Sequence, residues 1–163
     1  MKHHSKVTTL EDFKIYNPSA AERRNIALPE TLTRTERTVS WICTLIAAGI
    51  MIETLFFKFT AAPESVYIFS KMGTEPWMRW VQGLWELSAA ICLLIPTLRW
   101  AGGILTTGAM LAAILSHMTW LGFAVQGDHG LLFSMACLTF TCGFCVMMIH
   151  RDSIPNYESM TRW

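Results

Sequence analysis

The fold is decided by the stretch at residues 39–59, which reads VSWICTLIAAGIMIETLFFKF. As an α-helix this stretch rises about 31 Å, enough to cross the roughly 30 Å hydrocarbon core of a bilayer. Three more apolar stretches of similar length follow it along the chain, at residues 77–98, 100–125 and 131–149. The sequence therefore predicts an all-α protein whose residues 39–150 form a four-helix transmembrane bundle.

Composition agrees with a location in lipid. Hydrophobic residues make up 52% of the chain, which contains seven Trp and has a mean hydropathy of +0.35. A soluble domain of this size does not need so much apolar surface for one core. The net charge of +1 and the lack of a Lys/Arg-rich run argue against nucleic acid as a partner.

Charge near the span ends predicts the orientation of the bundle. Cytoplasmic ends of membrane helices carry an excess of Lys and Arg. Such residues occur before the first span, between the second and third, and after the fourth: Arg23, Arg24, Arg34, Arg37, Arg99, Arg151 and Arg162. We therefore expect the polar leader at residues 1–38 and the tail at residues 151–163 to be cytoplasmic.

The first outer connection, at residues 63–73, has the pattern of a short amphipathic helix. Val66, Ile68 and Phe69 would face lipid in this interpretation. Such a helix serves either as a lid over a site in the outer half of the bundle or as a simple anchor at the membrane interface. The sequence leaves both alternatives open.

Three ionisable side chains, Glu53, Glu86 and His117, lie inside the predicted spans. Counted from the outer end of each span, all three lie roughly 10–14 Å deep. Ionisable residues in a membrane are rare and often functional, and partners at the same depth offset the cost of burial. We therefore predict that these residues meet and exchange protons as a catalytic group. The alternative is a structural latch, in which they only hydrogen-bond across helices.

Lys58 lies about one turn from the outer end of the first span. Its long stem can carry the ammonium group out to the interface, or the group can turn inward to bind an anionic headgroup, a quinone carbonyl or Glu64. Two thiols, Cys142 and Cys145, are one helical turn apart in the fourth span, where packing and a redox pair are both open. We predict no tightly bound metal or haem, because His117 is the one well-placed intramembrane histidine.

Several short motifs resemble the DoxX-like family of four-span membrane proteins. They are FFKFT at residues 56–60, LWELSAA at 84–90, Ser116-His117 and GLLF at 130–133. The resemblance covers about residues 39–150 and implies a multi-pass protein of the bacterial inner membrane. Lys58, Glu86 and His117 fall on positions that look like the polar landmarks of the family, whereas Glu53 does not map onto one.

The family resemblance implies two different functions. In the first, the chain is a small subunit linked to quinone-dependent oxidoreduction, with Lys58, Glu86 and His117 binding the quinone headgroup. In the second, it is a non-catalytic accessory or assembly subunit of a larger membrane complex, and the same residues only latch the bundle. The sequence does not decide whether the chain is an enzyme.

Overall fold

The computed structural model describes residues 32–154, and from Thr33 onward these belong to one compact unit. Most of the predicted leader and of the predicted tail lies outside the described residues. The described part is helical, with no strand between residues 32 and 154, so the prediction of an all-α fold is confirmed. The helices are α1 (Arg34–Phe59), α2 (Pro63–Lys71), α3 (Trp77–Leu94), α4 (Arg99–Ser116) and α5 (Leu131–Ile149).

Two irregular turns extend helix α4 at its two ends. A 3₁₀ turn at Pro96–Leu98 joins α3 to α4, and a turn of π-helix at His117–Leu121 continues α4. The predicted third span at residues 100–125 therefore ends in irregular structure. Single π-helical turns are rare and frequently occur at functional sites.

Helix α1 begins five residues before the predicted first span, because a capping box fixes its start. The Thr33 hydroxyl accepts a hydrogen bond from the Glu36 backbone N–H at 3.2 Å, and the Glu36 carboxylate accepts one from the Thr33 N–H at 2.8 Å. These reciprocal bonds satisfy backbone donors that a helix start leaves unpaired. The polar first turn of α1 therefore precedes its apolar stretch without a break.

The four long helices pack in a ring in which each contacts its two neighbours: α1 with α3, α3 with α4, α4 with α5, and α5 with α1. Small and apolar side chains fill the centre of this ring, including Ala47, Met51, Ala89, Leu93 and Val146. The outward faces are also apolar, as shown by Leu45, Phe56 and Leu84, each more than half exposed. A helical ring that is apolar inside and outside is typical of a bundle in lipid.

Within residues 32–154, three helices are long and apolar enough to cross a bilayer: Arg34–Phe59, Pro96–Leu121 and Leu131–Ile149. Helix α3 has 18 residues but carries Arg79, Gln82 and Glu86, which lower its hydropathy. The structure therefore agrees with membrane association through three helices of the predicted length.

Helix α4 approaches both neighbours closely because glycines lie at the contacts. A Cβ atom at Gly102 would lie 2.5 Å from the Leu93 backbone nitrogen of α3, and one at Gly103 would lie 2.7 Å from the Met147 nitrogen of α5. Such distances leave no room for a side chain. Small residues that allow backbones to approach are characteristic of helix contacts in membranes.

Helix α2 forms where the sequence predicts an amphipathic helix. The face that it buries against the bundle differs from the expected one. Phe69 is only 6% exposed and Ser65 is also buried, whereas Tyr67 is exposed. The prediction that Phe69 faces lipid is therefore wrong: its ring turns toward the bundle. Lys71 ties the end of α2 to the π-helical turn, since its ammonium donates a hydrogen bond to the Leu121 carbonyl at 3.3 Å.

Candidate ligand site beneath helix α2

A cavity of about 770 Å³ lies between helix α2 and the ring of long helices. Its wall is mostly apolar and also includes several polar side chains, which are Thr54, Lys58, Glu64, Ser65, Thr74, Gln82, Glu86, Ser116, His117, Gln126 and Asp128. Ligand sites are typically apolar clefts of roughly 300–1,000 Å³ with a few placed polar groups. The volume and the lining of this cavity therefore suit a small organic molecule.

Glu86 accepts three side-chain hydrogen bonds at the cavity wall. Its Oε2 atom lies 2.7 Å from the Lys58 Nζ and accepts a hydrogen bond from the Thr54 hydroxyl at 3.0 Å. Its Oε1 atom accepts a hydrogen bond from the Gln82 amide at 3.3 Å. The side chain of Glu86 is 4% exposed and that of Lys58 is 13% exposed, so this is a buried ion pair.

Of the two directions considered for the Lys58 side chain, the structure shows the inward one. Its ammonium group pairs with Glu86, an arrangement in which each charge offsets the desolvation of the other. The pair joins α1 to α3 at the level of the cavity.

Arg79 contacts the backbone of Lys58. It was not recognised as a site residue in the sequence. Its Nη2 atom lies 2.8 Å from a Glu75 carboxylate oxygen, and its Nη1 donates a hydrogen bond to the backbone carbonyl of Lys58. Arg79 is only 5% exposed. The Glu75 and Arg79 spacing of four residues is a sequence signal for such a pair, but nothing in it points to Lys58.

His117 lies at the first residue of the π-helical turn and is 6% exposed. Its Nδ1 lies 2.8 Å from the Gly122 carbonyl oxygen, which can only accept, so Nδ1 carries a proton and donates. In the tautomer with a single proton on Nδ1, Nε2 is a hydrogen-bond acceptor. Phe133 packs edge-on against the ring, with the two centroids 5.6 Å apart.

Asp128 borders the same cavity, and its carboxylate holds the turn that follows the π-helix. It accepts backbone N–H groups of Val125 at 2.7 Å, Gly130 at 3.0 Å and Leu132 at 2.9 Å. Burial raises the pKa of Asp128, but these three hydrogen bonds and the nearby His117 outweigh it and hold the pKa below its ordinary value. Asp128 is therefore a turn residue, in line with the ordinary turn chemistry of its Gly-Asp-His-Gly sequence.

The structure does not bring all three predicted acid–base residues together. Glu86 and His117 line the cavity, whereas Glu53 is exposed on the outer side of α1 and does not line it. Its neighbour Thr54 takes the inward position and bonds Glu86. We expected Glu53 or His117 to be the partner of Glu86. Within residues 32–154 its ionic partner is Lys58 instead.

Methionines form much of the apolar wall. Half of the ten methionines of the chain line this one cavity: Met51, Met72, Met78, Met110 and Met135. Thioether side chains are flexible and polarizable, and they make favourable contacts with aromatic rings. A wall of this kind adapts to a flat, apolar ring.

The cysteines lie away from this cavity wall. Cys142 is buried in the core between α1 and α5, where Cys43 packs against it, and all five cysteines are free thiols. Among the described residues, no group of three or more His, Cys, Asp or Glu side chains is arranged to hold a metal ion.

Compared with known protein families, curated proteins and solved structures, the chain matches none of them.

Proposed function

We propose that this chain is a DoxX-like membrane protein with four spans that binds a quinone headgroup as a small subunit linked to quinone-dependent oxidoreduction. The proposal rests above all on one observation: Lys58, Glu86 and His117 open onto the same apolar cavity. The family resemblance of the sequence points to the same chemistry.

In this proposal helix α3 also crosses the membrane, as the second of four spans in chain order. Its polar side chains Gln82 and Glu86 point into the bundle, while Trp77, Leu84 and Ile91 are at least half exposed on its outer side. A helix with this division can cross a bilayer, because its ionisable group is paired inside the bundle. Four antiparallel spans put both ends of the chain on one side, which the arginines assign to the cytoplasm of a bacterial cell.

Recognition of a quinone would use the two polar ends of the site. The Lys58 ammonium donates to a quinone carbonyl, and the free Nε2 of His117 accepts a proton from a hydroquinone hydroxyl. Glu86 holds Lys58 in place. Its negative charge also offsets the positive charge that His117 gains when it accepts a proton. The methionines contact the ring, and the isoprenoid tail extends into lipid.

These side chains orient and protonate a quinone, but electrons must come from a redox cofactor. The proposal therefore includes a larger membrane complex in which a partner subunit supplies or removes the electrons. Glu53 has no role in this site, and its exposed position on α1 makes it a matched control for Glu86.

The test is quinone retention by the purified protein. We expect the wild-type chain, extracted from native membranes in mild detergent, to retain quinone that mass spectrometry detects and quantifies. Glu86→Gln should lower the bound amount by about tenfold, since the loss of one charged hydrogen-bonded partner costs about that factor. Glu53→Gln, which changes the same group at a similar predicted depth, should leave the amount unchanged. Equal loss in both variants, or no quinone in the wild type, would contradict the proposal.

A second candidate function is a non-catalytic accessory or assembly subunit. The observation that favours it is the complete bonding of Glu86 within the bundle, to Lys58, Thr54 and Gln82, as a latch requires. This candidate predicts a stoichiometric large partner without quinone in the same purification. It also predicts that Glu86→Gln lowers accumulation of the chain instead of quinone content.

A further inference from the structure

A buried arginine that has no acidic partner within residues 32–154 lies at the opposite end of the bundle, where α1 and α4 begin and α5 ends. Arg99 is 4% exposed, and its Nε donates a long hydrogen bond of 3.3 Å to the Leu93 carbonyl. Its Nη2 atom is buried and has no hydrogen-bond partner in the part of the chain that the structure describes. Almost all buried polar atoms in proteins are paired, so an unpaired guanidinium nitrogen needs an explanation.

No carboxylate among the described residues compensates this charge. The ion pairs within residues 32–154 join Lys58 to Glu86, Arg79 to Glu75 and Arg151 to Asp152. The Trp41 ring covers the guanidinium, with its centroid 3.8 Å from the Arg99 Cζ. A cation–π contact of this kind offsets only part of the desolvation cost of a guanidinium, which remains charged at all physiological pH values.

The neighbouring polar groups add donors but no negative charge. The His150 Nε2 lies 2.8 Å from the Ser40 hydroxyl, and both residues are buried. Burial, and secondly the positive charge of Arg99, lower the pKa of His150. Ser40 is the neighbour of Trp41, which covers Arg99, so Ser40 and His150 lie at the same end of the bundle as Arg99, and we refer to the three residues as the Arg99 cluster.

We propose that this cluster, with Arg99 as its main ligand group, binds a phosphate group, either the phosphodiester of an acidic phospholipid or free phosphate. A planar guanidinium presents parallel N–H donors that match two phosphate oxygens, and the unpaired Nη2 supplies such a donor. The Trp41 ring is 40% exposed and forms the outer cover of the guanidinium, so a small rotation of this ring admits the phosphate. Helix ends in a membrane lie at the level of lipid headgroups, and basic pockets between helices bind them there.

The test measures stabilisation of the full-length protein by defined phosphate compounds. Delipidated protein in detergent is heated with phosphatidylglycerol, with diacylglycerol of the same acyl chains, or with inorganic phosphate. We expect phosphatidylglycerol to raise the midpoint of thermal unfolding, and diacylglycerol, which lacks phosphate, to leave it unchanged. If inorganic phosphate raises the midpoint equally, the same site takes the free anion; if it does not, the lipid headgroup is the ligand.

Two variants test whether the stabilisation by phosphatidylglycerol depends on Arg99. Arg99→Gln should weaken phosphatidylglycerol binding by about tenfold, the factor expected for one lost charged hydrogen bond. Arg151→Gln removes a positive charge at the same end of the bundle from a half-exposed side chain and should keep the full shift. A wild-type protein that responds equally to diacylglycerol and phosphatidylglycerol overturns the proposal, even if Arg99→Gln does not fold. A shift that persists in a folded Arg99→Gln variant also overturns it.

Discussion

The Lys58–Glu86 ion pair is the residue-scale feature with the clearest energetic consequence. Both side chains are removed from solvent, and each offsets the charge of the other at 2.7 Å. Removing one partner of a buried pair leaves an uncompensated charge, which costs about 3–5 kcal/mol, whereas replacing both by apolar groups of similar size is often neutral. Stability therefore depends on the pair as a unit.

We predict that Glu86→Leu and Lys58→Met each lower the free energy of unfolding by about 3–5 kcal/mol. The double variant should lose much less than the sum of the two, because no unpaired charge remains. Unfolding of the purified chains in detergent, arranged as a double-mutant cycle, measures the coupling. Additive losses would mean that the two charges do not depend on each other.

The direction in which each candidate side chain points was not predictable from the sequence. Counting along the spans put Glu53, Glu86 and His117 at one level, and two of them line one cavity. Neighbouring helical residues point about 100° apart, so a small rotation of α1 decides whether Glu53 or Thr54 faces inward. Packing against α3 sets that rotation, and the pattern of one helix does not contain it.

At the scale of elements, the sequence indicated the helices better than their ends and connections. Apolar length predicted the long helices, and the amphipathic pattern of residues 63–73 predicted α2. The π-helical turn at His117–Leu121 has no comparable signal, because it depends on the Gly122 and Asp128 bonds that follow it. That turn positions His117, so the site was only partly predictable.

The close approach of α4 to its neighbours gives a prediction at this scale. Gly102→Ala should destabilise the bundle by about 1–3 kcal/mol, since the added methyl group would meet the Leu93 backbone, which cannot move aside as a side chain can. Gly108→Ala is the matched control on the same helix, because its Cβ would have no atom within 4 Å. It should be neutral or slightly stabilising, as alanine favours helix more than glycine does.

Thermal unfolding of both variants in the same detergent tests the contact. If Gly102→Ala and Gly108→Ala have the same midpoint of thermal unfolding, α3 and α4 are not in close contact at Gly102. Gly143→Ala extends the series to α5, where the added Cβ would lie 2.7 Å from the Thr106 side chain. Because a side chain can rotate away, we expect a smaller loss there than at Gly102.

For the whole molecule, the position of α3 decides the topology and therefore the sides of the membrane on which the two later turns lie. Three helices have the length and hydropathy of spans, and α3 is the polar exception. If α3 crosses the membrane, the turn at Thr97 lies on the same side as the start of α1, and the turn at Ala124 lies on the opposite side. If α3 lies on the surface instead, these two positions exchange sides.

We predict four spans, with Thr97 cytoplasmic and Ala124 outside. Single cysteines at Thr97, Ala124 and Ser70, all exposed, would be placed in a chain whose five native cysteines are replaced by alanine. A membrane-impermeant maleimide added to intact cells should label Ala124→Cys but label Thr97→Cys only after the membrane is opened. Ser70→Cys follows α1 directly and reports the outer side in either topology. Labelling of Thr97→Cys in intact cells, together with protection of Ala124→Cys, would mean that the chain crosses the membrane three times and that the quinone site must be assigned again.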